Sequence, residues 1–167
     1  MMIIVSNSSP LIGLASIDGL YLLESLYDTV HIPEAVYQEV VIDGAGRAGS
    51  KDIAAASWIQ RHQVADKLAV SELTTKTKLK EGESEAIILA LELKADFVLL
   101  DERPARRYAT ELGLQLVGVV GVLLLAKTQN LITEVKPLLD KLMAAGFRLH
   151  TATYKTALQA AGESSIN

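Results

Sequence analysis

Apolar runs of strand length alternate along this chain with stretches of helical spacing, and that alternation restricts the fold more than any other feature. Met2 to Val5, Thr29 to Ile32, Phe97 to Leu100 and Leu116-Val117 read as strands. Apart from Thr29 and His31 they are apolar on successive residues, as strands buried on both faces are. Helices fill the intervals. Pro10 sits where one can begin, because its missing N–H costs nothing there. Leu20 to Leu26 is helical, after a break at Asp18-Gly19. Pro33 opens another helix, with Val36, Tyr37, Val40 and Val41 on one face. Further helices are expected over Lys51 to Ile59, Ser71 to Lys78, Glu83 to Leu93, Pro104 to Leu112, Val119 to Lys127, Thr133 to Ala144 and Tyr154 to Ala160. A weak extended stretch lies near Val64. Strands that alternate with helices predict an α/β fold with a parallel sheet. No repeat or long linker interrupts residues 1–167, so a single domain is expected.

Composition narrows the chemistry. The chain has no cysteine, which removes disulfides, thiolate catalysis and iron–sulfur clusters. Sixteen basic against twenty acidic residues give a formal charge of −4, so no global basic surface draws in nucleic acid. A polyanion would have to be met by a local patch or through a metal. The longest apolar run, Leu114 to Ala126, falls short of the roughly 18 residues a membrane span needs. The N-terminus has no basic region before its brief apolar run, so a cytoplasmic protein is expected.

Gly44-Ala45-Gly46-Arg47-Ala48-Gly49 spells G-x-G-x-x-G, with Asp66 at a tolerable distance for a ribose contact. The dinucleotide motif requires a buried strand leading in and a helix leading out. Here the preceding segment keeps helical periodicity, and the first strand ends in Asn7-Ser8-Ser9 without glycine. A surface loop is the better expectation.

In an open α/β sheet, ligands bind beyond the carboxyl ends of the strands. Strand one delivers Ser6, Asn7, Ser8 and Ser9 to that edge, and the Phe97 strand runs directly into Asp101-Glu102. If the two strands are neighbours, an amide, hydroxyls and carboxylates meet at one rim. Glu39 and Glu85 can join them from helices, although an exposed helical glutamate and a dipole-stabilising first-turn acid explain each equally well. Convergent carboxylates suit a hard divalent cation, which takes oxygen ligands and activates water at a phosphodiester. His31, His62 and His150 are scattered without helical pairing and are expected to be packing or surface residues rather than zinc ligands.

The segments VSNSSPLIGLA, PEAVYQEV, GESEAIILALELKADFVLLDERPARRYA and GVVGVLLLAK together resemble a PIN-domain protein of the VapC-like kind, in a subfamily carried as a domain of unknown function. The likeness covers nearly the whole chain. It implies a three-layer α/β/α fold around a parallel sheet of about four to five strands. It also implies a Mg2+- or Mn2+-dependent endoribonuclease, commonly the toxin of a toxin–antitoxin pair. Carried over by position, Asn7 stands where the first aspartate usually is, Glu39 matches the helix glutamate, Glu85 the third acid and Asp101 the fourth. Glu102 stands beside Asp101, and Ser9 matches a hydroxyl that supports the metal shell. Asn7 departs from the pattern: an amide oxygen can coordinate but brings no charge and cannot act as a base. A catalytically weakened RNA- or protein-binding module is therefore the alternative.

Arg103, Arg106 and Arg107 share a helix face just beyond Asp101 and could hold RNA phosphates, or could form ordinary i, i+4 pairs with nearby glutamates. Aromatics are only 5% of the chain, which disfavours recognition by base stacking. The helices Leu20 to Leu26 and Val36 to Val41 carry more apolar residues than one buried stripe requires. That surplus fits the homodimer that the resemblance implies, and equally fits two-sided burial within one chain. A cognate antitoxin is the other implied partner.

Overall fold

The structure, a computed structural model, describes residues 2–164. Five parallel strands form one sheet: β1 (Ile4–Ser6), β2 (Val30–Pro33), β3 (Ile59–His62), β4 (Phe97–Leu99) and β5 (Leu116–Val117), in the order β3-β2-β1-β4-β5. The α/β class with a parallel sheet follows as the sequence predicts. Strand β1 pairs with β4 through Ile4↔Phe97, Val5↔Val98 and Ser6↔Leu99, so the two strands that end in polar residues are neighbours.

The helices are α1 (Ser8–Ser16), α2 (Tyr21–Tyr27), α3 (Glu34–Tyr37), α4 (Ser50–Ala55), α5 (Lys67–Thr77), α6 (Glu81–Leu93), α7 (Arg103–Glu111), α8 (Val119–Thr128), α9 (Lys136–Ala144) and α10 (Thr151–Ala160). Helix α3 runs on into a π-helical segment, Gln38–Asp43. Alternation along the strands separates two cores. Ile4, Ile32 and Leu99 pack with Leu11, Leu23, Val122, Leu123 and Leu139 of α1, α2, α8 and α9. Val5, Val98 and Leu100 pack with Ile87, Ala105 and Ala109 of α6 and α7. Helices thus cover both faces, which is why the central strands β1 and β4 are largely apolar. Each fully buried Leu or Ile contributes about 1.5–3 kcal/mol of transfer free energy.

Two expectations are corrected. The helix expected to reach Ile59 ends at Ala55, and the extended stretch is Ile59–His62 rather than the neighbourhood of Val64. This strand lies at the sheet edge and is mostly polar (Ile-Gln-Arg-His), so neither periodicity marks it. The apolar surplus of the second and third helical segments is largely absorbed by the chain itself. Leu22, Leu23, Val36 and Val40 are buried, whereas Tyr21 and Ile42 remain exposed. The glycine loop follows the π-helical segment, with no strand leading in, and Gly46 has only open space around it. The dinucleotide geometry is absent there. Among the described residues, no helix is long and apolar enough to cross a membrane.

Candidate active site

Parallel pairing carries the ends of β1 and β4 to one edge, and the backbone N–H of Asn7 donates to the Leu99 carbonyl at 3.0 Å. Asn7 is buried, 3% exposed, at the N-cap position of α1. Glu39 reaches the same edge from the π-helical segment, and the Ser8 hydroxyl donates to its Oε2 at 2.9 Å. Gly82, in the first turn of α6, faces both groups. A Cβ placed there would stand 3.1 Å from Glu39 Oε2 and 3.8 Å from Asn7 Oδ1. The absent side chain leaves the space around these two oxygens open.

Asp101 stands next along the rim. The Val119 N–H, at the start of α8, donates to its two oxygens at 3.1 and 3.3 Å. Gly118 makes this approach feasible, since a Cβ there would lie 2.5 Å from Asp101 Oδ1. Burial pushes the Asp101 carboxyl up to about 6; the Val119 N–H and Arg106 oppose that rise, and Glu102 adds to it. Arg106 folds back, donating to the Leu100 carbonyl, and so buttresses the strand end.

Glu102 turns the other way. The Ser9 hydroxyl donates to its Oε1 at 2.8 Å, and it shares a carboxyl–carboxyl hydrogen bond with Glu83. Glu83 is pushed up to about 7 by burial first and then by Glu102, against the Lys80 N–H from which its side chain accepts at 3.0 Å. Glu102 is held below the ordinary range by the Glu83 hydrogen bond foremost.

The structure does not bring Glu85 to this rim. Glu85 accepts from the Ala35 N–H at 3.1 Å and lines a separate cavity of about 740 Å³ with Glu34, Glu81 and Lys67. Glu83, not singled out in the sequence, occupies the rim instead. Its signal was present: both acids lie near the start of α6, and only the direction of the face was unreadable. Arg107 also stands apart, exposed and 3.6 Å from Glu111. Arg103 and Arg106 do border the rim. They line a groove of about 770 Å³ beside Asp101, joined by Arg148 and His150 from the segment after α9.

The rim's donor set bears on which metal it could hold. Every candidate ligand here is oxygen, the class that Mg2+ and Mn2+ take. Among the described residues, no three acidic or imidazole side chains already stand together as a metal cluster. Magnesium usually takes only one or two carboxylates and keeps several waters, so that spacing does not exclude it. The residues fit a hard dication in chemistry, with the acids presently held by Ser8, Ser9, Glu83 and Val119.

Comparison with known proteins gives one match. A family model described as a PIN domain matches residues 3–163. No curated protein and no solved structure matches the chain.

Proposed function

The chain belongs to the PIN-domain family, and from that premise we propose that it is a divalent-metal-dependent endoribonuclease, acting as the toxin of a toxin–antitoxin pair. PIN domains are nucleases in general and typically use divalent metals. The finer assignment rests on one observation: Asn7 and Glu39 flank the open space at Gly82 while Asp101 stands on the neighbouring strand end, all at one sheet edge.

In this reading Asn7, Glu39 and Asp101 would hold Mg2+ or Mn2+, with the adjacent Glu83–Glu102 pair able to supply a further carboxylate. When bound, the metal supplies Lewis acidity and a water of lowered pKa at the scissile phosphodiester. The chain's own residues do the rest. Ser8 and Ser9 orient Glu39 and Glu102 by hydrogen bonds. The Val119 N–H fixes the Asp101 carboxylate. Arg103 and Arg106, on the groove beside Asp101, meet the phosphates that a negative rim would otherwise repel. Glu85, matched to the third acid by resemblance, is reassigned here to the entry of α3.

Incubation of a structured RNA with the protein and Mg2+ or Mn2+ should give cleavage that EDTA stops and that Asp101→Asn and Glu39→Gln each abolish. Cleavage unchanged in Asp101→Asn would overturn the assignment. Asn7 supports a second reading, in which the protein binds RNA or another protein without cutting. That reading predicts metal-independent RNA binding by the wild type and cleavage gained in Asn7→Asp. A cognate antitoxin, a homodimer and a cytoplasmic setting belong to the toxin reading. Co-expression with a candidate antitoxin should suppress the cleavage.

A further inference from the structure

His31 and His62 lie 31 residues apart and share no sequence motif, yet the fold puts them in contact. His31 Nδ1 and His62 Nε2 share a hydrogen bond of 2.8 Å, one ring donating and the other accepting according to tautomer, with ring centroids 4.9 Å apart and planes tilted by 48°. They come from neighbouring parallel strands: His31 is opposite Val5 on one side and Gln60 on the other, and His62 is opposite Pro33. Strand alternation therefore sets His31, Gln60 and His62 on one face of the β2–β3 edge. The sequence shows the three histidines as scattered, and the fold pairs two of them.

We propose that His31 and His62 form a second metal site, separate from the carboxylate rim, for a divalent transition cation that favours imidazole and tetragonal geometry, Cu2+ above all. Two neutral imidazoles are the ligands such a cation prefers over a set of carboxylates. A bound ion would displace the proton that the two nitrogens share and take its place. With metal–nitrogen bonds of about 2.0–2.1 Å, as zinc shows, nitrogens 2.8 Å apart subtend roughly a right angle rather than the wider tetrahedral one. A right angle is the cis angle of square-planar Cu2+ or Ni2+. Water completes the remaining positions. Both rings are half-buried, which restricts the rotamer freedom that a chelate must otherwise freeze. Burial, followed by the charge of His62, also holds His31 below the ordinary histidine range, so the proton competes poorly for that ring at neutral pH. The bound ion would fasten the edge strand β3 to β2, the strand that runs through Pro33 into α3 and the segment bearing Glu39.

Copper titration of the intact protein at neutral pH, read by electron paramagnetic resonance, tests the site. One equivalent of Cu2+ should show a spectrum with two equatorial imidazole nitrogens and should raise the melting temperature. His62→Gln, on the edge strand, should weaken that binding by at least ~10-fold and leave a one-imidazole signal. His31→Gln should do the same, and circular dichroism checks that each variant is folded. Asp101→Asn, Glu39→Gln and His150→Gln should keep the two-imidazole signal, which separates this site from the rim and from the exposed histidine. Retention of the two-imidazole signal in His62→Gln, or its absence from the wild type, would overturn the proposal. Neither result touches the nuclease reading, which Mg2+-dependent cleavage decides.

Discussion

Asp101 carries two roles that pull against each other. Its folded-state pKa, about 6, lies above the 3.8 of an unperturbed aspartate. The folded protein therefore keeps a proton that the unfolded chain gives up between those values. Stability from this group is fully present below about pH 3.8 and is lost as pH rises through about 6. In metal-free protein, Asp101→Asn should accordingly be the more stable form at pH 7.5, by on the order of 2 kcal/mol, with the gap closing toward pH 4. Urea melts at the two pH values measure it, and an equal gap at both would refute the burial account. Gly118 offers a finer probe. Gly118→Ala forces a methyl to within 2.5 Å of Asp101 Oδ1, so the carboxylate or the start of α8 must shift. Cleavage should fall by about 10-fold or more while RNA binding persists. At this scale Asn7, Glu39 and Asp101 were legible, because each sits where a strand end or a helix can deliver it. Glu83 was not chosen over Glu85, since residues two apart on a helix point about 200° apart and only tertiary packing says which face meets the rim. The histidine contact was invisible for a related reason: strand register is a three-dimensional fact.

Among the elements, the π-helical segment Gln38–Asp43 has the most to say about position. Its wider turn holds Glu39 toward Ser8, and Gly44 ends it where a Cβ would lie 2.6 Å from the Val40 carbonyl. Gly44→Ala should destabilise the fold by about 1–3 kcal/mol and weaken Mg2+ affinity together, because the segment must rearrange to admit the methyl. Urea melts and Mg2+ titration check the two effects. Melts that shift with unchanged Mg2+ affinity would detach the segment from the site. Its sequence gave no warning, since Val36, Val40 and Val41 obey ordinary helical spacing as well. Four strands could be read within a residue or two from their apolar runs, whereas β3 could not. Gln60, Arg61 and His62 face an unpaired edge, and their polarity removes the signal that burial writes into β1, β2 and β4.

Across the whole molecule, the last described residues tie distant helices together. Glu163 accepts from the Val135 and Lys136 N–H groups at 2.8 and 3.0 Å and pairs with Lys127 at 2.9 Å. One carboxylate thus caps α9 and bridges it to α8. Glu163→Ala leaves two helix-start donors and a half-covered ammonium without it, and should cost about 1–3 kcal/mol in a urea melt. A loss below ~0.5 kcal/mol would mark the clamp as incidental.

The β1–β4 pairing joins residues 4–6 to residues 97–99, and the Val119 N–H then anchors Asp101. A ribosome making this chain has emitted the first strand long before its neighbour exists. Truncated products ending before residue 119 lack the companion strand, the final anchor or both. Fragments released before that point cannot assemble the rim, so whatever chemistry it carries waits until Val119 has been made.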